Sequence, residues 1–335
     1  MSICLCNASA DKALELFAHK GIEMEPVSSS CVTQFRADFE GVWIPSYLAD
    51  VFSDGIEVLV GDGGAPREND MVVCHRWTGR LPEGALLRAP NTMGLYVSSP
   101  AFCLMQQASE LHMINLCMML GRYLATKSPT MGKNGQDVLE DRLPLIKEDD
   151  LYRFVKGASG ARGVGQLREA LRWTCAGAAS PQEINLQLAL SLPPSYYGFG
   201  LALPQMNYSV PLDEYAKKFY ARKECRIDLC WPERFFGLEY LGKDHEKQIE
   251  DDCSRHYALC TEGYELLYVT NGQLSSAVQM DYIARWVARK TRKHVREEVW
   301  PSINEVQRLL DILGKKVTPR QDERKRHTRQ KKSVV

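Results

Sequence analysis

Residues 225–241 limit the possible folds more than any other stretch. Cys225-Arg-Ile-Asp-Leu229, Trp231-Pro-Glu-Arg234 and Phe235-Phe-Gly-Leu-Glu-Tyr-Leu241 read as two strands around a short turn. With the turn centred on Glu233-Arg234, paired residue numbers sum to 467 and Asp228 falls opposite Glu239. The two-residue period then puts Ile227, Leu229, Leu238 and Tyr240 on one face and Arg226, Asp228, Glu239 and Leu241 on the other. Opposed like charges on neighbouring strands are unfavourable. At ~4 Å and an effective dielectric of ~20 the repulsion is about 4 kcal/mol. A divalent cation, a shared proton, or neutralisation by Arg226 or Lys243 would relieve it. A register shifted by one or two residues would instead make the pair purely structural.

The flanking segments extend the pattern. Ser180-Pro-Gln-Glu183 reads as a capped helix start, and Ile184, Leu186, Leu188 and Leu190 carry the helix towards Pro193-Pro194. Glu183 sits in its first turn, where the cap and the helix dipole suffice to explain a carboxylate. Downstream, a charged helix is expected over about 246–260, with Asp252 and Arg255 on adjacent turns. A strand over 264–270 and a closing helix over about 275–290 follow. The order helix, strand, strand, helix, strand, helix implies an α/β sandwich built on a mixed sheet.

At 335 residues the chain is long enough for two or three domains. Residues 1–95 alternate short apolar runs such as Ile56–Val60 with turn clusters, and read as a small mixed α/β module with a helix over 11–19. From Ser99-Pro100 onward Phe102, Leu104, Met105, Leu111, Ile114, Leu116 and Met119 recur at helical spacing, giving one long or broken helix to about residue 126. The glycines of 157–165 invite a phosphate-loop reading. No strand precedes them and no Lys-Ser/Thr follows, so a glycine-punctuated connection between helices is expected. The expected division is 1–95, a helical region 96–177, an α/β domain 178–292, and a C-terminal helix with a basic tail 293–335. The fold class is thus α/β, α+β overall.

The chain has as many Lys and Arg as Asp and Glu, but the balance is uneven. Residues 315–335 hold nine Lys/Arg against Asp322 and Glu323. Such a tail is either a solvated segment or a sequence-independent phosphate contact. Within 285–296, Arg285, Arg289, Lys290, Arg292, Lys293 and Arg296 occur with no acidic residue, again a solvated face or a phosphate-binding one. Trp286 beside them is a core anchor or a stacking ring. The eleven cysteines show no CxxC and are expected as reduced thiols. No apolar run reaches the roughly 18 residues a membrane-spanning helix needs, and the N-terminus lacks a basic, signal-like start, so a cytoplasmic protein without membrane partners is expected.

Asp228, then Glu239, Gly242, His245, Asp252-x-x-Arg255, Leu259, Gly263-Tyr264 and Val269 resemble the Vsr-related branch of the PD-(D/E)XK nucleases, the branch of the very-short-patch repair endonuclease. The resemblance covers residues 178–290. Residues 1–175, chiefly Val97-Ser-Ser-Pro100 and the helix after it, resemble more weakly the upstream regions of actinobacterial proteins and of abortive-infection antitoxin-like regulators. The nuclease resemblance implies a PD-(D/E)XK-like mixed sheet flanked by helices and Mg2+- or Mn2+-dependent hydrolysis of DNA. It implies Asp228 and Glu239 as metal ligands, Glu183 as an outer ligand, and His245 as an aid to proton transfer. His245 has an equally simple reading as a loop histidine beside Asp244. The pattern departs at Leu241, where the family carries Lys or Asp. A displaced lysine, Lys243 or Lys247, would have to compensate. The alternative is a catalytically silent module of the same fold that binds nucleic acid or a protein partner.

Overall fold

The computed structural model describes residues 2–28, 35, 46–48, 55–61, 71–78, 80–90, 92, 94–131, 137–242, 249–293 and 296–315. They form a mixed α+β structure, in agreement with the expected class. The N-terminal part is a six-stranded sheet. Its strands are β1 (Ile3–Leu5), β2 (Glu25–Val27), β3 (Ile56–Val60), β4 (Val72–Arg76), β5 (Leu86–Arg88) and β6 (Leu95–Ser98), in the order β2-β5-β6-β1-β3-β4. Helix α1 (Asn7–His19) follows β1 and buries Ala13, Leu14 and Phe17.

Ser99 caps α2 (Pro100–Ala108), its hydroxyl accepting from the Phe102 amide at 3.3 Å, with Pro100 at the first helical position. The expected helix to residue 126 is broken at Ser109–His112, and α3 (Met113–Tyr123) restarts after it. Arg122 of α3 holds α1 through Asp11 and Glu15, each at 2.7 Å, and the Tyr123 hydroxyl donates to Asp11 at 2.8 Å. A hairpin, β7 (Lys127–Met131) and β8 (Asp137–Asp141), leads to α4 (Glu148–Gly157) and α5 (Val164–Ala170).

The glycine-rich stretch is the link between α4 and α5, as its lack of a preceding strand implied. Gly163 caps α5 at φ +86°, and a Cβ there would come within 2.0 Å of the Met105 carbonyl oxygen. Only glycine allows that approach of α5 to α2.

Helix α6 (Pro181–Ser191) starts as its sequence predicts, with the Ser180 hydroxyl accepting from the Glu183 amide at 3.1 Å. The second sheet has the order β12-β11-β10-β9, from β9 (Gln205–Pro211), β10 (Glu224–Trp231), β11 (Phe236–Leu241) and β12 (Glu265–Thr270). The first three strands are antiparallel, and β12 returns parallel to β11 after α7 (Ile249–Thr261). Strand β9 was not expected. Proline at Pro211 weakens a strand pattern read from sequence, yet it is tolerated on an edge strand, which β9 is. A short helix α8 (Asn271–Leu274), α9 (Ala277–Thr291) and α10 (Ile303–Leu313) close the chain. One apolar core runs from Ile3 of β1 to Leu313 of α10, joining all the expected ranges. A smaller cluster under α7 holds Val210, Cys225, Ile227, Cys230, Ala258 and Leu259.

Candidate active site

The hairpin has the register its sequence predicts. Leu229 pairs Leu238, Cys230 pairs Gly237 and Trp231 pairs Phe236, with Pro232–Arg234 as the turn. The face assignment requires a correction. Leu229, Leu238 and Tyr240 belong to the main core, whereas Ile227 packs in the smaller cluster with Ala258 and Leu259. Regular alternation stops at Asp228, which lies between the paired segments 224–227 and 229–230 of the β9–β10 ladder. On β9 the residue at that level, Asn207, has φ +47°. Asparagine is among the few side-chain-bearing residues that tolerate such a backbone. The register is the same on both sides of this level, yet on each strand the flanking residues face different clusters, Met206 and Leu229 the main one and Tyr208 and Ile227 the smaller.

Glu183 of α6, Asp228 of β10 and Glu239 of β11 lie within electrostatic range of one another, Asp228 acting on Glu183 and Glu183 on Glu239. The Asp228 Oδ2 accepts from the Tyr240 amide at 2.8 Å, holding the half-buried carboxylate against β11. Glu183, 6 % exposed, accepts through Oε2 from the Ala179 amide at 2.8 Å and from Asn207 Nδ2 at 2.7 Å. Burial, and then the charge of Asp228, push its carboxyl up to about 7. Asn207 also donates to the Gly177 carbonyl at 3.0 Å, so it ties α6, its preceding turn and β9 together.

Glu239 is 3 % exposed, and Arg255 Nη2 donates to its Oε1 at 2.6 Å. The same guanidinium donates to the Arg226 carbonyl. Burial raises the Glu239 carboxyl to about 7 against the pull of Arg255, with Glu183 and Asp252 adding repulsion. Burial depresses the Arg255 guanidinium, but Glu239 and Asp228 outweigh it and keep it firmly charged. Repulsion in this cluster is therefore relieved by Arg255 from α7. Arg226, named for that task by sequence, turns its side chain to the exposed Glu224 at 3.8 Å. Beyond Glu239, its cross-strand neighbour Tyr268 bonds His256 Nδ1 at 2.8 Å, and His256 Nε2 lies 3.4 Å from Cys260 Sγ. Burial and then Glu239 push the Tyr268 phenol up to about 12.

Leu241 ends β11, paired with Thr270 and half-buried. His245, Lys243 and Lys247 lie outside the described residues, as does the basic tail beyond Lys315. Of the basic helix, Arg285 is bound by Asp281 at 3.0 Å and Glu297 at 2.9 Å, with its guanidinium 4.8 Å from the Trp300 ring centre. Lys290 pairs with Glu265. These two charges are spent within the protein, while Arg289, Arg292, Lys293 and Arg296 are exposed. Arg289, Lys293 and Trp286 lie away from the three carboxylates in sequence and in element, on α9 and its C-terminal end.

Asn207 escaped the sequence reading because nothing around it marks a strand irregularity. The one available signal was an asparagine inside the Met206, Tyr208, Val210 alternation. Among the described residues no group of three or more His, Cys, Asp or Glu side chains is arranged to hold a metal ion. No described helix is long and apolar enough to cross a membrane. Compared with family models, curated proteins and solved structures, the chain matches none.

Proposed function

We propose that residues 178–292 are a nucleic-acid phosphodiesterase domain related to the Vsr-like PD-(D/E)XK nucleases, acting on DNA with Mg2+ or Mn2+. The observation that carries this reading is the electrostatic proximity of Glu183, Asp228 and Glu239, three carboxylates from three elements, beside an irregular point of a mixed sheet. The side-chain types suit the cation, although among the described residues no three of them are arranged around a common metal position. Carboxylate oxygens are hard ligands, and Mg2+ is commonly held by one or two carboxylates together with substrate phosphate, without a protein cage. Asp228 and Glu239 would hold it. When bound, such a cation supplies a water of lowered pKa and offsets charge on the scissile phosphate.

The chain's own groups do the rest. Tyr240 N–H orients Asp228, and Asn207 with the Ala179 amide orients Glu183. A carboxyl titrating near 7, as Glu183 does, is able to hold or release a proton at neutral pH. Arg255, paired with Glu239, is a fixed positive charge that would offset charge on a phosphate brought to the carboxylates.

One observation favours a second reading, a silent module that retains the fold. Arg255 already neutralises Glu239, and Leu241 offers no group to orient water. Cleavage of supercoiled plasmid and of single-stranded DNA, titrated with Mg2+ and Mn2+, separates the two. Metal-dependent nicking lost in both Asp228→Asn and Glu239→Gln supports the enzyme. Absent cleavage with salt-sensitive DNA binding intact moves the assignment to the silent module.

A further inference from the structure

Outside the carboxylate cluster, the loop between β9 and β10 carries an unusual surface. Tyr215 is 56 % exposed, Phe219 41 % and Tyr257 of α7 55 %. Their rings form a chain: Tyr215 meets Phe219 edge-on with centres 5.6 Å apart, and Phe219 is tilted against Tyr257 at 6.1 Å. Exposing three rings in contact costs water-excluded area that a core position would recover, so the arrangement calls for an occupant.

Cations lie beside the rings. Lys218 Nζ lies 5.4 Å from the Tyr215 ring centre, and the Arg222 guanidinium 5.5 Å from that of Tyr220. Lys218, Arg222 and Lys223 are exposed. Lys217 is paired with Glu214 at 2.6 Å, and Arg226 with Glu224 at 3.8 Å.

The loop is held in place. The Asp213 Oδ1 accepts from the Tyr215 and Ala216 amides at 2.8 and 2.7 Å, and the Asp213 amide donates to Glu262 of the α7 end at 2.6 Å. Ala216 and Leu212 are buried beneath. A platform fixed this way loses little entropy on binding.

We propose that Tyr215, Phe219 and Tyr257 form a stacking platform for the unpaired bases of a single-stranded nucleic acid, with Lys218, Arg222 and Lys223 meeting its phosphates. A run of exposed rings with cations beside it complements a strand that alternates flat bases and negative charge. In a duplex the base faces are already stacked on one another, so the platform selects single strands. Tyr257 of the platform and Arg255, which pairs with Glu239, both belong to α7, so that helix links the platform to the carboxylate cluster. Only this last link rests on the nuclease reading.

The test is fluorescence anisotropy in EDTA with a labelled 15-nucleotide oligo(dT) and a 15-base-pair duplex. Wild type should bind the single strand more tightly. Tyr215→Ala, Tyr257→Ala and Phe219→Leu should each weaken single-strand binding by roughly 5- to 100-fold, with little change for the duplex. Phe219→Tyr, which keeps the ring and its packing, should retain wild-type affinity and guards against a folding defect. Arg222→Gln should reduce the salt dependence of log affinity by about 0.7. Ring variants that bind the single strand as wild type does, or that lose single-strand and duplex binding equally, overturn the proposal. EDTA blocks metal-dependent cleavage, so the two readings fail separately. Ring-dependent binding without any cleavage in Mg2+ defeats only the nuclease, and duplex nicking without ring-dependent binding defeats only the platform.

Discussion

Arg255 and Glu239, 16 residues apart, form a nearly buried ion pair at 2.6 Å across the interface of α7 and β11. Among the described residues, that guanidinium is the cation paired with a carboxylate only 3 % exposed. Removing one partner of such a pair leaves an uncompensated charge, at a cost of about 3–5 kcal/mol. Arg255→Ala should therefore lower unfolding stability in urea by about that amount. Arg255→Ala combined with Glu239→Gln should recover most of it, because the neutral amide no longer needs the cation. If the double variant is as unstable as the single, Arg255 acts through packing and its bond to the Arg226 carbonyl.

The carboxyls of Glu183 and Glu239 are both raised from the usual 4.5 to about 7. A raised carboxyl binds a proton more tightly in the folded than in the unfolded chain. Its stabilising contribution is present in full below about pH 4.5 and is lost as pH rises through about 7. The melting temperature should fall between pH 5.5 and 8, and Glu183→Gln should flatten that fall. A variant with the same pH slope as wild type would remove Glu183 as its source.

Any Mg2+ bound by Asp228 and Glu239 competes with the proton on Glu239. Affinity for Mg2+, measured by calorimetry, should rise between pH 6 and 8 and vanish in Glu239→Gln. Binding that is independent of pH over this range would place the cation on other ligands.

Asn207 combines φ +47° with side-chain bonds to Glu183 and to the Gly177 carbonyl. Asn207→Gly keeps the backbone accessible and loses both bonds, while Asn207→Ala also adds strain. Both should destabilise by about 1–3 kcal/mol in chemical denaturation, with alanine the worse of the two. Equal effects would show that the side-chain bonds, rather than the backbone, set the cost.

Gly163 offers a control far from the site. An added Cβ would lie 2.0 Å from the Met105 carbonyl oxygen at a left-handed φ, so Gly163→Ala should lower stability by more than about 2 kcal/mol, read from the thermal midpoint. Alanine at Gly157, where nothing lies within 4 Å, should be tolerated.

The Ser99 and Ser180 caps, the glycine link at 157–165 and the 467 register of β10 with β11 were all legible in the chain, because each is settled within a few residues by cap chemistry, turn length or a two-residue period. The same local rules fail where distant segments decide. Edge strand β9 is paired only by virtue of β10, and the irregularity opposite Asp228, which sends Ile227 and Leu229 into different clusters, depends on Asn207. The partners that complete the carboxylate cluster, Asn207 for Glu183 and Arg255 for Glu239, come from 24 and 16 residues away. Arg285 and Lys290, read as free charges on a basic helix, are taken by Asp281, Glu297 and Glu265. Sequence determined which side chains were available and the period on which they were set out; tertiary packing decided which of them meet, because counter-charges and buried hydrogen bonds are satisfied by whatever the fold brings within about 3 Å.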